Sequence, residues 1–267
     1  MAKCSTAPSR RRVLKASLVA AWVAAAPGFA QPSPGITVAA ASDLKFALEE
    51  LAGLYEKQTG QRLKLVFGSS GLLYTQLLQA APFHVFMSAD ESFVLRLAQT
   101  GKTLDQGKVY AHGRLALIAP KGAVVQVDEA FKGVRLALQQ GRIKRFAIAN
   151  PEHAPYGQRS VEALKHAGLW EAMVDKLVYG ENVSQAAQFA LSGSAQGGIV
   201  AHSLALAPSL QSIGDFALVD PSWHQPLIQR MVLLKNPPAA AQAFYDHLSS
   251  PAALAVMSRY GFALPRS

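Results

Sequence analysis

Ile36-Thr37-Val38-Ala39-Ala40-Ala41-Ser42 runs without a turn into Asp43-Leu44-Lys45-Phe46-Ala47-Leu48, and this passage decides the fold class. Residues 36–40 form a compact apolar run, the mark of a buried strand. Over 43–58 the pattern becomes helical, with Leu44, Leu48, Leu51 and Tyr55 on one face and Gly60 as the stop. The unit repeats outward from there. A strand is predicted over 63–67, a helix over 71–80 ahead of Pro82, a strand over 83–87 and a helix over 91–100 ahead of Gly101. Strands that alternate with helices imply a parallel sheet with crossover helices.

The pattern then resets. Strands are predicted over 114–119, 146–149, 176–179, 198–201, 216–219 and 227–234, with helices over 157–167 and 183–191. Two further helices, 239–248 and 252–259, end the chain. Two such sets imply two lobes, and periodicity does not say which lobe takes the terminal helices.

Upstream, Arg10-Arg11-Arg12-Val13-Leu14-Lys15 precedes an alanine-rich apolar run that ends at Gly28-Phe29-Ala30. This is the layout of an export signal cut after about Ala30, and the arginine pair is similar to a twin-arginine signal. The alternative is an uncleaved anchor, but residues 16–26 are too few for a bilayer, which needs about 20. Residues 1–30 hold five of the 26 basic side chains and no acid, so the remaining 237 residues carry 21 basic against 17 acidic groups. A net charge of +4 without a dense basic run argues against nucleic acid. The single cysteine, Cys4, falls in the signal, which excludes disulfides and thiolate chemistry from the exported part.

Three strand-to-helix junctions have a common character: Val38–Ser42 by number 38–42, Phe67-Gly68-Ser69-Ser70-Gly71, and Glu181-Asn182-Val183-Ser184. Ligands of open α/β sheets bind beyond the carboxyl ends of strands, where helix N-termini gather. Free N–H groups, the helix dipole and serine hydroxyls there make an anion cradle without lysine or arginine. The competing reading is that Ser42 and Ser70 simply cap their own helices. Residues 68–71 lack the Lys-Ser/Thr ending of a nucleotide-binding loop, and Leu72 breaks the Gly-x-Ser-x-Gly pattern of a hydrolase elbow. The seven histidines show no metal-binding spacing.

Several segments together resemble the periplasmic molybdate-binding proteins of ABC importers (ModA-like). They are Ile36–Ser42 as quoted, the serine loop at 67–71, Ala81-Pro82-Phe83-His84-Val85-Phe86-Met87-Ser88-Ala89-Asp90, Asn150-Pro151-Glu152-His153-Ala154-Pro155-Tyr156-Gly157, Gly180-Glu181-Asn182-Val183, Gly198-Ile199-Val200-Ala201 and Arg259-Tyr260-Gly261-Phe262. The resemblance covers nearly all of the chain after the signal. It implies a two-lobed α/β fold of the type II periplasmic binding protein kind, each lobe a sheet flanked by helices. The expected lobes are 31–112 plus 228–267, and 113–227.

The resemblance further implies capture of molybdate or tungstate, with no cofactor and no catalysis, by Ser42 and Ser70 from one lobe and Tyr156 and Val183 from the other. Many relatives end the "GIVY" strand with a tyrosine; here that position is Ala201, and Tyr156 supplies the phenol instead. Molybdenum would meet the protein only through its oxo groups. A membrane permease is the implied partner, the location is periplasmic, and a monomer is expected. Asp43 sits awkwardly beside a dianion unless it points away. The alternatives are a binding protein of the same fold for sulfate or phosphate, and a secreted serine hydrolase that uses His84 or His153 as base.

Overall fold

The computed structural model describes residues 35–265; the expected signal, 1–30, and its cleavage point lie outside the described residues. In chain order, β1 (Ile36–Ala41) leads through a 3-10 turn (Ser42–Leu44) to α1 (Lys45–Thr59), β2 (Leu63–Gly68) to α2 (Ser70–Leu78), and β3 (Val85–Ser88) to α3 (Glu91–Gln99). Then β4 (Lys108–Gly113) passes to β5 (Leu115–Pro120). There follow α4 (Lys132–Gln139), β6 (Phe146–Ala149), α5 (Pro155–His166), α6 (Trp170–Met173), β7 (Leu177–Gly180) and α7 (Val183–Leu191). Next come β8 (Gly198–Ala201), α8 (His202–Ala205), α9 (Pro208–Gln211) and β9 (Gly214–Leu218). Finally β10 (Leu227–Leu233) precedes α10 (Ala239–His247) and α11 (Pro251–Arg259).

The strands form two five-stranded sheets, ordered β2-β1-β3-β10-β4 and β7-β6-β8-β5-β9. This is the two-lobed type II α/β architecture. The expected parallel pairing holds for β2, β1 and β3 and for β7, β6 and β8, but each sheet also contains antiparallel strands. β10 runs antiparallel to β3 and β4, and β5 runs antiparallel to β8 and β9. Each sheet is therefore mixed, because β5 and β10, the strands reached on passing from one sheet to the other, do not follow a crossover helix.

The apolar run of β1 follows from burial on both faces. Ile36, Val38 and Ala40 belong to a core shared with Leu44, Leu48, Phe244 and Val256, whereas Ala39 faces Leu73, Phe86 and Val232. The terminal helices pack on the first sheet's side: Phe244 of α10 and Met257 of α11 share that core with Leu48 and Leu51 of α1. Only Arg114 separates β4 from β5, and its guanidinium donates to the Gly261 carbonyl at 3.0 and 3.2 Å. The C-terminal segment so ties down the first passage between the sheets.

Candidate functional site

Ser42 begins the turn after β1, and Ser70 begins α2 after β2. β1 and β2 are parallel neighbours in register from Ile36↔Leu63 to Ala41↔Gly68, so the two serines leave the sheet side by side. Neither caps its own helix. The Ser70 hydroxyl oxygen accepts from the Ala89 N–H at 2.9 Å, and the Ser42 hydroxyl oxygen accepts from the Ser184 N–H at 3.3 Å. A serine hydroxyl that spends its oxygen as an acceptor keeps its hydrogen for a guest. Both side chains are buried.

The second lobe brings Tyr156 and Val183 to the same place. Pro155 opens α5 with its ring at the first helical position, where a missing N–H costs nothing. Asn182 caps α7, its side chain accepting from Gln185 N–H at 3.1 Å. As the first helical residue, Val183 has an N–H without an intrahelical partner. One cavity is lined by Ser42, Ser70, Tyr156 and Val183, together with Asp43 and Ser69 among others, and holds about 10 Å³ of space for a water-sized centre. No lysine, arginine or histidine lines it.

Asp43 does not point away. It lines the cavity, is 1% exposed, and accepts at Oδ2 from the Tyr156 phenol at 3.0 Å and from Gln229 Nε2 at 2.7 Å. Gln229 Nε2 also donates to the Tyr156 oxygen at 3.2 Å. Burial pushes the Asp43 carboxyl up to about 6, and the Gln229 and Tyr156 hydrogen bonds only partly oppose this. Burial and the neighbouring carboxylate push the Tyr156 phenol well above its ordinary range. Tyr156 has one proton, and here it goes to Asp43. Gly113 makes room for the cluster: a Cβ there would stand 2.4 Å from the Tyr156 hydroxyl and 2.7 Å from Gln229 Nε2.

Further bonds join the two lobes around the cavity. Ser184 Oγ donates to the Ser42 carbonyl at 2.8 Å, and Ser203 Oγ to the Asp43 carbonyl at 2.7 Å. Gly71 N–H donates to the His153 carbonyl at 3.0 Å. Arg159 pairs across the lobes with Asp90 at 3.4 Å and, within its own helix, with Glu162 at 2.5 Å. Gln229 and Gly113 escaped the sequence reading, as did the contact of Gly71 with His153, because these roles depend on partners far along the chain. His153 Nδ1 meets Ser69 Oγ at 2.8 Å, whereas His84 Nδ1 accepts from Thr37 N–H at 2.9 Å. Among the described residues, neither Ser42 nor Ser70 has a histidine base, and no group of three potential metal-ligating side chains occurs.

Two lobes that close on a cradle of uncharged donors define a binding protein, and the chain belongs to the bacterial extracellular solute-binding protein family, whose model matches residues 36–263. Its relatives bind solutes and are not enzymes. Over 247 residues the chain is 34% identical to the molybdate-binding protein ModA of Rhodobacter capsulatus, covering 88% of this chain and 91% of that protein. It is 35% identical to the ModA of Azotobacter vinelandii over 233 residues, covering 86% and 90%. The solved structure of the Azotobacter vinelandii periplasmic molybdate-binding protein matches with a TM-score of 0.78 at 32% identity, covering 86% of this chain and 100% of that one.

Proposed function

We propose that this protein captures molybdate outside the cytoplasm and delivers it to the membrane permease of an ABC importer. The observation that carries the reading is the convergence of donors from both lobes on one small cavity without a cationic side chain. With about 10 Å³ of space for a water-sized centre, the cavity lies far below the roughly 300–1,000 Å³ of pockets for organic ligands and admits only a small guest. The Ser42 and Ser70 hydroxyls donate from the first lobe, and the Val183 N–H donates from the second. Tyr156 closes the wall and holds Asp43. Molybdenum meets these groups only through its oxo atoms. Tungstate, of the same shape and charge, uses the same donors, whereas sulfate is too small to reach all of them.

In this proposal the protein works as a periplasmic monomer, exported by the twin-arginine route and cut after about Ala30. The lobes are residues 31–112 plus 228–267, and 113–227. Calorimetry of the mature protein against molybdate, tungstate, sulfate and phosphate tests the reading. Strong heats with the first two alone support it; sulfate or phosphate binding more tightly than molybdate refutes it.

Closure supplies a second test. A Cβ on Gly71 would lie 2.7 Å from the His153 carbonyl oxygen, a backbone atom of the opposite lobe. Gly71→Ala is expected to oppose closure by roughly 1–2 kcal/mol, lowering molybdate affinity about 5–30-fold. Tyr156→Phe is expected to weaken binding less than loss of either serine hydroxyl, because its proton is engaged with Asp43. A titration of this variant that shows the larger loss assigns the phenol directly to the anion.

A further inference from the structure

Asp43 is the one ionisable acid in the lining of a cavity read as an oxyanion site, and the hydrogen bonds around it do not balance. The cluster of Asp43, Tyr156 and Gln229 has three hydrogens to give, one on the phenol and two on the amide. All three are used, on Asp43 Oδ2 twice and on the Tyr156 oxygen once. Asp43 Oδ1 and Gln229 Oε1 are buried and have no donor in hydrogen-bond geometry, although the backbone N–H groups of Asp43 and Leu44 lie near enough to the carboxyl group to favour its charged form. Unpaired buried acceptors are costly, and a bare carboxylate beside a dianion adds repulsion.

No neighbouring charge relieves this. The turn that carries Asp43 packs against α1, α7 and α8. From α1, Lys45 holds its Nζ over the Phe46 ring, and Glu49 is exposed. The helix α7 has no ionisable side chain. On α8, burial and the nearby Arg114 hold His202 down at about 4, so it is neutral. Tyr110 on β4 and Tyr156 on α5 share the field of Asp43, and both phenols are pushed well above their ordinary range by burial. Gln229 on β10 is uncharged. No lysine or arginine among the described residues bonds to the carboxyl group.

We propose that the oxyanion enters this site together with one proton, held by Asp43 at Oδ1 and offered to the bound anion. The inference rests on the oxyanion reading above. The balance is simple: a carboxylate, a dianion and a proton from solvent become a neutral carboxyl group that donates to the dianion. No bond other than the O–H forms, and nothing is oxidised or reduced. The carboxyl hydrogen supplies the missing donor and removes the repulsion in one step.

Linkage makes this measurable. Above the point at which Asp43 ionises in the empty protein, affinity is expected to fall about tenfold per pH unit between pH 7 and 9. Calorimetry of the intact mature protein with sodium molybdate near pH 7.5, in imidazole and in Tris, whose ionisation heats differ, counts the protons. About one proton taken up per anion is expected. Asp43→Asn is expected to take up none and to bind with a flat pH profile. Molybdate binding to the wild-type protein with no proton uptake and constant affinity from pH 7 to 9 overturns the proposal, and so does uptake that persists in Asp43→Asn. The wild-type count stands by itself if the variant does not fold. No heat with molybdate anywhere from pH 5 to 9 defeats the oxyanion reading itself, and this inference with it.

Discussion

Ser42→Ala combined with Ser70→Ala is expected to reduce molybdate affinity by roughly 3–6 kcal/mol, about two to four orders of magnitude. Each hydroxyl is a donor to a charged acceptor, and such hydrogen bonds contribute about 1.5–3 kcal/mol. The geometry makes these serines interchangeable with no neighbour. Each oxygen already accepts a backbone N–H, from Ala89 or from Ser184, so each hydroxyl group is turned with its hydrogen free. Removing both also leaves two buried N–H donors without their acceptor. The Ser184 bond crosses between the lobes, so Ser42→Ala is expected to cost more in closure than Ser70→Ala. Calorimetry on the single and double variants measures this directly. Wild-type affinity in the double variant would remove the serines from the site.

Asp43→Asn is expected to stabilise the empty protein relative to wild type by about 2–3 kcal/mol more at pH 7 than at pH 4. The sign follows from burial. The folded-state value of Asp43 is about 6, above the ordinary 3.8, so the proton-bound form is the one that folding prefers. Its contribution to stability is complete below about 3.8 and is lost as pH rises through about 6. At 1.36 kcal/mol per pH unit, the gap corresponds to about 3 kcal/mol. The amide does not titrate, so the difference between the two chains isolates this one group from all other acids. Urea midpoints of ligand-free protein at both pH values give the answer, and a difference that does not change with pH refutes the buried, uncompensated state of the carboxyl group.

Local pattern carried much of this molecule. The strands at Phe146–Ala149 and Gly198–Ala201 and the helix at Val183–Leu191 match their sequence reading residue for residue, because each is apolar or periodic. The strand β4 escaped notice: Lys108-Val109-Tyr110-Ala111-His112-Gly113 mixes polar and apolar residues at a sheet edge. The helix α4 escaped too, since Gly133 interrupts it and only Val134 and Ala137 are buried. The antiparallel sense of β10 has no signature within its own residues; it is fixed by neighbours more than 100 positions upstream. The site divides along the same line. Ser42, Ser70 and Val183 lie at strand-to-helix junctions that order alone locates, but order left capping as an open reading of the serines, and the choice of these residues as anion donors came from the family resemblance. The surroundings of Asp43 are not legible, because Tyr156 lies 113 residues away and Gln229 lies 186.

The position of β10 has a consequence for synthesis. Every strand of the second sheet lies between Leu115 and Leu218, whereas the first sheet needs Leu227–Leu233 inserted between β3 and β4. As the nascent polypeptide leaves the ribosome, the later half therefore completes its architecture while the earlier half waits with an open slot. A product truncated ahead of Leu227 retains one finished half and one with its fourth strand stranded beside a gap. Leu227–Leu233, translated after every strand of the second sheet, is thus the key that licenses the N-terminal half, and any secretion route that admits only finished cargo is obliged to wait for it.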